Sequence, residues 1–440
     1  MINTGKFMDA AIKSGIAPFE LTRTASTTLS IRIFMDEMEE YNLANNSNIR
    51  GRGIVNGKLG SFSSDKANNS VISLMCESIV ENAKYGNDYD ADLFIKPGRI
   101  YKRPKYFNPA LSRVDPKEFI SLGKRISKKI REKEKRITIS EVQLEYVEDS
   151  SRIDNSNGLK LKDHRNYLFI YVSTKLDYKG EIQSGSKMMI ADDMSKVNED
   201  KIVEDVIAKT IAQIGSCPVK SGKYTVLFDS IPASYLLRTL LSHMSQYEVN
   251  KKLSKLENQL GKQAFSKKLT ITENPFAKNP FGSVYDSEGV PTTKKVLVER
   301  GVLNVFYSDL ESAKEAGKES TGNGKFSRGS IKSATGYCCV KRGKKSFEEA
   351  LNYIKDGIFI TGIEGTATGL IPQTGNYSLQ AEGFIIKDGK LDKPVSLITV
   401  AGNVFEDFKR IAILSNETEL TMSGISTPPI AIRKVSISGI

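Results

Sequence analysis

SIPASYLLRTLLSHMSQYEVNKKLSKLENQLG, residues 230–261, decides how the C-terminal half of the chain is read. Ser230 is a fitting N-cap, Pro232 falls in the first turn and Gly261 can end the element, so the spacing predicts one long helix. KYTVLFD at 223–229 precedes it as a strand, and the chain then runs to its end mostly as strands and glycine turns. Among these, Asp388-Gly389 marks a hairpin and KVSISGI at 434–440 reads as a final strand. A strand-rich C-terminal domain built around one long helix is therefore expected. The metal-capable pair on that helix is His243 and Glu248. Residues five apart on a regular helix lie about 140° apart, so one ion could join them only across a local widening such as a π-bulge. Met244 follows the histidine, where a zinc-hydrolase helix would place a glutamate to take a proton from metal-bound water. His243 shares a face with Leu236 and Leu240, which favours a packed, hydrogen-bonded histidine. Two ligands also fall short of the three that a catalytic zinc keeps.

Upstream, MDAAIKSG (8–15) reads as an amphipathic helix and LSIRIFMDEMEEYNLANNSN (29–48) as one or two strands. GRGIVNGKLGSFSS (51–64) reads as a hairpin turned at Asn56-Gly57, and SVISLMCESIVENAKYG (70–86) as a helix. Pro97, Pro104 and Pro109 then punctuate a surface linker. Asp115, Pro116 and Glu118 form a capping-box start to a helix whose Phe119, Leu122, Ile126 and Ile130 recur at helical spacing. Alternating segments at 137–149, 160–174 and 180–190 follow as strands, with DNSNG (154–158) turning the first into the second, and DKIVEDVIAKTIAQIG (200–215) closes the unit as a helix. The expected class is α+β and multidomain: an N-terminal α/β domain at 1–90, a linker at 91–114, a middle α+β domain at 115–216 and a larger β-rich domain at 217–440.

The chain has 440 residues, with 64 Lys and Arg against 52 Asp and Glu and a formal net charge of +12. No apolar run reaches the roughly 18 residues of a membrane span, and the N-terminus lacks an apolar signal core, so no membrane role and a cytoplasmic location are expected. Cys76, Cys217, Cys338 and Cys339 form no C-x-x-C pair and read as reduced structural thiols. His164 and His243 are the only two histidines, which leaves little material for a site built on imidazoles. His164 sits in a charged strand and reads as exposed and structural.

The net charge raises the question of nucleic acid. In KRISKKIREKEKR (124–136) the apolar residues hold helical phase, so the charges read as a solvated outer face. GKFSRGSIKSATGYCCVKRGKK (324–345) is rich in Gly, Ser and Lys and reads as a mobile loop. That loop is the better nucleic-acid candidate, but it carries no aromatic-interleaved motif. GSCPVKSGK (215–223) has the wrong spacing for a P-loop, and GIEGTATG (362–369) is no dinucleotide fingerprint.

One run carries a resemblance. GSVYDSEGVPTTKKVLVERGVLNVFYSDLESAKEAGKESTGNG (282–324) closely resembles the signature of the TldD/PmbA family: an Asp-x-Glu-Gly turn, a strand pair and a Ser-Thr-Gly-Asn close. TGNYS (374–378), PVSLITVAGN (394–403), the DNSNG turn and RGRGIVNGKLGSFSS (50–64) extend the likeness over nearly the whole chain. In that family TldD-type chains carry His-Glu-x-x-x-His on the long helix and a cysteine near the C-terminus, and form a zinc peptidase. PmbA chains, also called TldE, lack that set. On this alignment His243, Met244 and Glu248 stand at the first ligand, the general base and the second ligand, and ETELTMSGIST (417–427) has no cysteine.

The resemblance implies a PmbA/TldE-like non-catalytic subunit of a TldD/TldE-type zinc metallopeptidase complex involved in peptide processing and proteolysis. It implies no cofactor in this chain, zinc in a TldD-like partner, and an extended or unfolded peptide as substrate. Asp286, Glu288, Gly289, Thr321, Gly322, Asn323, Asn376 and Tyr377 are the candidate cavity or interface residues, set against plain turn chemistry for each. Asn376 departs from the family's T-G-D-[YF]-S, so a role needing charge there would be lost. The less favoured alternatives are a basic regulator of nucleic acid or a DNA enzyme, after the family's older name of gyrase modulator, and a peptide-binding homodimer acting alone.

Overall fold

The structure is a computed structural model and describes residues 2–102, 104–327 and 329–440. It divides into two compact units: residues 2–211 with the short segments 278–280 and 288–291, and the remainder of 212–440.

In the first unit, helix α1 (Thr4–Lys13) leads into strands β1 (Phe19–Phe34), β2 (Glu37–Val55) and β3 (Lys58–Ser64), followed by α2 (Ile72–Tyr85). Then come α3 (Pro116–Lys133), β4 (Ile137–Asn155), β5 (Lys160–Tyr178), β6 (Glu181–Ala191) and α4 (Glu199–Ile211). The strands form one antiparallel sheet in the order β3-β2-β1-β4-β5-β6. The Asn56-Gly57 turn is present, with φ of 50° and 80°, the left-handed pair that a two-residue hairpin needs. β3 lies against α2 through glycine: a Cβ on Gly60 would sit 1.9 Å from the Ile79 carbonyl oxygen.

β1 pairs with β2 along one edge and with β4 along the other, so strands from 2–90 and from 115–191 share one sheet, and the linker expected on the surface between them needs correction. Period-2 alternation shows that a strand is half-buried but not which strands flank it. The intervening segment is packed: Phe94 is fully buried and Ile95 nearly so. Asn157 and Asn155 donate side-chain N–H groups to the Phe94 and Ile95 carbonyls at 2.7 and 2.8 Å.

α3 starts as expected, with the Asp115 carboxylate accepting the Lys117 N–H at 2.8 Å. Its basic face is matched by acids. Arg125 and Lys129 bridge Glu199, Lys129 also reaches Asp200, Lys133 reaches Glu204, and Lys124 and Arg131 reach Glu37 and Asp36.

In the second unit, β7 (Gly222–Phe228) is followed by α5 (Ser230–Ser242), α6 (Gln246–Asn250), β8 (Ile271–Glu273), β9 (Lys295–Glu299), β10 (Val302–Leu303), α7 (Leu310–Glu315), β11 (Gly324–Ser327), β12 (Ser330–Ser333), β13 (Cys338–Val340) and α8 (Phe347–Ile354). The chain ends with β14 (Gly357–Glu364), α9 (Thr366–Gly369), β15 (Leu370–Ile371), β16 (Asn376–Lys387), β17 (Lys390–Asn403), α10 (Val404–Asp407), β18 (Ile411–Leu414), β19 (Glu419–Leu420), β20 (Ile425–Thr427) and β21 (Ile430–Ser438). One sheet runs β14-β7-β21-β17-β16-β15, and a further β14 to β16 pairing closes it on itself, while β18 adds to β21. A second runs β10-β9-β8-β13-β20-β19. Leu236, Leu237, Leu240 and Leu241 of α5 are buried in the core of this unit.

The long helix expected over 230–261 is broken. Met244 and Ser245 bond back only three residues, to Leu241 and Ser242, and Gln246 then donates its N–H to the Tyr307 carbonyl at 2.8 Å. The Ser245–Tyr307 bridge thus takes over backbone groups that a continuing helix would use. Residues 324–345 are likewise not a loop: β11 and β12 form a hairpin, and β13 is paired on both sides, by β8 and β20. Glycine, serine and lysine hid an alternating pattern whose buried positions include Cys338. No helix among the described residues is long and apolar enough to cross a membrane.

Candidate functional site

His243 terminates α5 and is 4% exposed. Its Nδ1 lies 3.1 Å from the Lys255 backbone nitrogen and its Nε2 2.7 Å from the Pro372 carbonyl oxygen. A backbone N–H can only donate and a carbonyl can only accept, so Nδ1 carries the lone pair and Nε2 the proton. The ring meets Phe405 edge-on at 4.9 Å, and Ser254 donates its hydroxyl to the His243 carbonyl at 2.6 Å. Both imidazole nitrogens are committed inside the protein. Met244 is fully buried among the apolar residues of this unit, and Glu248 lies on α6, across the break from His243. Residues so placed do not fit a zinc ion: the imidazole has no spare lone pair, no carboxylate follows it, and the remaining carboxylate belongs to another helix.

Helix α10, which carries the Phe405 that meets this ring, also holds Asn376 and Tyr377. Asn403 donates its side-chain N–H to Asn376 Oδ1 at 2.8 Å and caps α10 by accepting the Phe405 N–H at 3.0 Å. Asn376 thus serves as a neutral acceptor at the start of β16, opposite Asn403. Buried Tyr377 donates its hydroxyl to Asp407 at 2.7 Å, and Asp407 also pairs with Arg410. Burial, reinforced by Asp407, pushes the Tyr377 hydroxyl well above its ordinary pKa. Burial also raises Asp407, against the opposing pull of Tyr377 and Arg410.

The signature residues of the second unit form another cluster. Asp286 accepts the Gly324 N–H at 2.8 Å, fixing the base of the β11–β12 hairpin. Thr321 Oγ1 accepts the Ser308 N–H at 2.6 Å and donates to Asn323 Oδ1 at 2.8 Å. Gly322 takes the left-handed conformation between them, with φ 72°. Asn323 is 3% exposed and donates to both carboxylate oxygens of Glu273, at 2.9 and 3.1 Å. Glu273 also accepts the Gly336 N–H and pairs with Lys295 at 2.9 Å, its own side chain 3% exposed and that of Lys295 9%.

Glu288 and Gly289 belong to the first unit. The Glu288 carboxylate is 3.9 Å from Arg52, which also binds the buried Glu20. Gly289 has φ 81°, and a Cβ there would come within 2.8 Å of Leu159. Its carbonyl accepts the Tyr101 hydroxyl at 2.7 Å. Within the second unit the candidates thus take part in two sets of bonds, Asn376 and Tyr377 with Asn403 and Asp407, and Thr321 and Asn323 with Ser308 and Glu273. Glu273, Asp407 and Phe405 escaped the sequence reading because no quoted motif contains them, and Lys295 because, inside the 282–324 run, nothing marks it out from its neighbour Lys294. His164 is stacked on Phe107 at 4.0 Å and meets Glu148 at 2.9 Å, far in sequence from any of these residues.

Family models of the PmbA/TldA metallopeptidase C-terminal and central domains match residues 221–439 and 109–214. The chain belongs to the PmbA/TldD family. It is 26% identical over 445 residues to the metalloprotease PmbA of Escherichia coli O157:H7, covering 98% of this chain and 94% of that protein. A PmbA homolog of Buchnera aphidicola is 28% identical over 311 residues, 66% of this chain and 67% of its own length. Among solved structures, a Thermotoga maritima protein described as a modulator of a DNA gyrase superposes with a TM-score of 0.89 at 25% identity, covering 99% of this chain and all of that one. TldE of Thermococcus kodakarensis shares the fold, with a TM-score of 0.89, 24% identity and 99% of both chains covered. The two family matches leave 215–220 between them, and the structure divides at 211/212.

Proposed function

We propose that this PmbA/TldD-family chain is a non-catalytic, TldE-like subunit that pairs with a TldD-like zinc metallopeptidase and acts with it on extended peptides in the cytoplasm. The observation that supports this most is His243, with both ring nitrogens in internal hydrogen bonds beside a fully buried Met244. A hydrolytic zinc site needs a free imidazole lone pair and a base for the bound water. Here the helix contributes packing instead, while the well-kept signature residues are spent on holding hairpins and turns. Partner and substrate are carried by the family resemblance. Elemental analysis of the purified chain after dialysis against zinc tests the reading. Well under one zinc per chain is expected, unchanged in His243→Ala. One tightly held zinc per chain that His243→Ala removes would overturn it.

A second reading, nucleic-acid binding, draws on Lys341, Arg342, Lys344 and Lys345. All four are exposed, and among the described residues none forms an ion pair. A steep fall of DNA affinity with salt, weakened further in an Arg342→Ala, Lys344→Ala variant, would favour it over the subunit role.

A further inference from the structure

Helices α2, α3 and α4 lie on one face of the first unit's sheet: α2 meets Gly51, α3 meets Ile33 and Leu144, and α4 meets Gly185. The cross-strand register puts all four residues on the same side, because opposed residues share a face and neighbours along a strand alternate. The opposite face carries Tyr167, Phe169 and Tyr171 on β5, with Ile190 and Met188 beside the last two on β6. These five are half-buried. Leu168, Ile170 and Val172, which point to the helix side, are fully buried.

Two carboxylates stand beside this aromatic row. Tyr167 lies opposite Val147 of β4, and Glu145 and Asp149 are the same-face neighbours on either side of Val147. Side chains at that diagonal offset are within reach of an aromatic ring. Burial, reinforced by the charges of Asp149 and Glu145, pushes the Tyr167 hydroxyl up to about 12. Among the described residues neither carboxylate has an ion pair or a side-chain hydrogen bond. The neighbouring cations are turned elsewhere: Arg165 pairs with Asp163 and donates to the Pro280 carbonyl at 3.1 Å, and Arg32 bridges Glu39, Glu40 and Glu141. A chain of net charge +12 thus keeps two carboxylates without a counter-ion around one tyrosine ring.

We infer that this face is a docking surface for an extended peptide segment bearing lysine or arginine. A cation over Tyr167 gains from the face of the ring and from both carboxylates, and its methylene stem covers the apolar surface of Phe169 and Ile190. Spacing narrows the choice. Glu145 and Asp149 are separated by about 13 Å of strand, the distance between residues i and i+4 of an extended peptide, whose side chains point the same way. An aromatic sheet face also suits the stacked bases of a single-stranded nucleic acid, but that mode needs a basic groove for the phosphates. Here carboxylates would repel them. The inference names the class of peptide for the function proposed above, and rests on that reading only in calling such a peptide a substrate.

Fluorescence polarisation of labelled peptides mixed with the full chain tests it. A peptide of threonine and serine with a pair of lysines at i and i+4 should bind, and the same composition with the lysines at i and i+3, on opposite sides, should bind at least about threefold more weakly. The glutamate counterpart should not bind. Glu145→Gln with Asp149→Asn, isosteric changes at unpaired side chains, should weaken the matched peptide about fivefold or more. Tyr167→Ala should weaken it about threefold, while Tyr167→Phe, which keeps the ring, should bind as wild type does. The same neutralisation at Glu257 and Asp392, exposed elsewhere, should change nothing. No binding of the matched peptide, equal affinity for the glutamate peptide, or a Glu145→Gln, Asp149→Asn chain that binds as tightly as wild type would each overturn the proposal. So would a thymidine oligonucleotide that binds and is released by Tyr167→Ala. None of these outcomes bears on His243, whose zinc test stands by itself.

Discussion

Residues 124–136 and 324–345 are alike in composition and opposite in construction. In the first, the cations line the outer face of α3 and meet Glu199, Asp200 and Glu204 some seventy positions along the chain. The second folds as a hairpin and a strand, and its cations reach other groups: Lys332 lies over the Tyr247 ring at 5.2 Å and Lys325 donates to the Thr335 carbonyl at 2.6 Å. What holds this second region is buried beneath it, where Glu273 binds Lys295, Asn323 and the Gly336 N–H. One region is organised by screened surface charge, the other by a desolvated carboxylate with every partner in place. Charge density along a sequence says little about which of these a segment has.

The largest effect should come from the buried network. Lys295→Met leaves Glu273 without its counter-ion, and breaking a buried pair from one side costs about 3–5 kcal/mol. Thermal denaturation should show that loss almost unchanged at about 1 M salt, since buried charges escape screening. A loss below about 1 kcal/mol would mean that the network is as weak as a surface pair.

Limited proteolysis sharpens the contrast in a second way. With β11–β12 paired and Ala334 N–H bonded to the Asn323 carbonyl, trypsin should cut after Lys96, Arg99 or Lys102, in irregular exposed chain, well before any lysine in 325–345. First cleavage after Lys332 would restore the loop reading.

On the surface side the effects are smaller. Glu199→Gln removes the carboxylate shared by Arg125 and Lys129 and should cost no more than about 1 kcal/mol, a difference that high salt erases. Persistence of that cost in high salt would show that the α3–α4 face depends on more than charge.

The pH dependence follows the same residues. Hydrogen bonding from Arg125 holds the Glu199 carboxyl below its ordinary pKa. Its contribution is therefore complete above the unfolded value, about 4.3 for glutamate, and is lost as pH falls through the lower folded value. Between about pH 5 and pH 3 the wild-type melting temperature should fall slightly more than that of Glu199→Gln. Parallel curves would remove the α3–α4 pairs from the account of acid stability.

Local signals made much of the fold legible. Asn56-Gly57 and Asp388-Gly389 turn their hairpins, with positive φ at all four residues, and Asp115 caps α3. The α+β, multidomain class and the family were readable as well, because the signature residues sit in turns whose glycines and asparagines cannot be exchanged freely. Long-range choices were not readable. Nothing in β1 announces that it is flanked by both β2 and β4, and nothing in residues 243–246 announces that Tyr307 will capture the backbone and end the helix. The site shared this limit: Met244 could be read as a missing base, but the commitment of both His243 nitrogens depends on Lys255 and Pro372, which only the fold brings near.

The central claim is that this chain supports catalysis without performing it, and peptide hydrolysis by a reconstituted pair tests it most directly. The chain should be assayed alone, with a TldD-like metallopeptidase subunit, and as His243→Ala with that subunit. The account predicts no hydrolysis by the chain alone, hydrolysis by the pair, and activity within about twofold of wild type for the His243→Ala pair, since the imidazole only packs. Hydrolysis by the chain alone, or a His243→Ala pair that assembles yet is inactive, would contradict it.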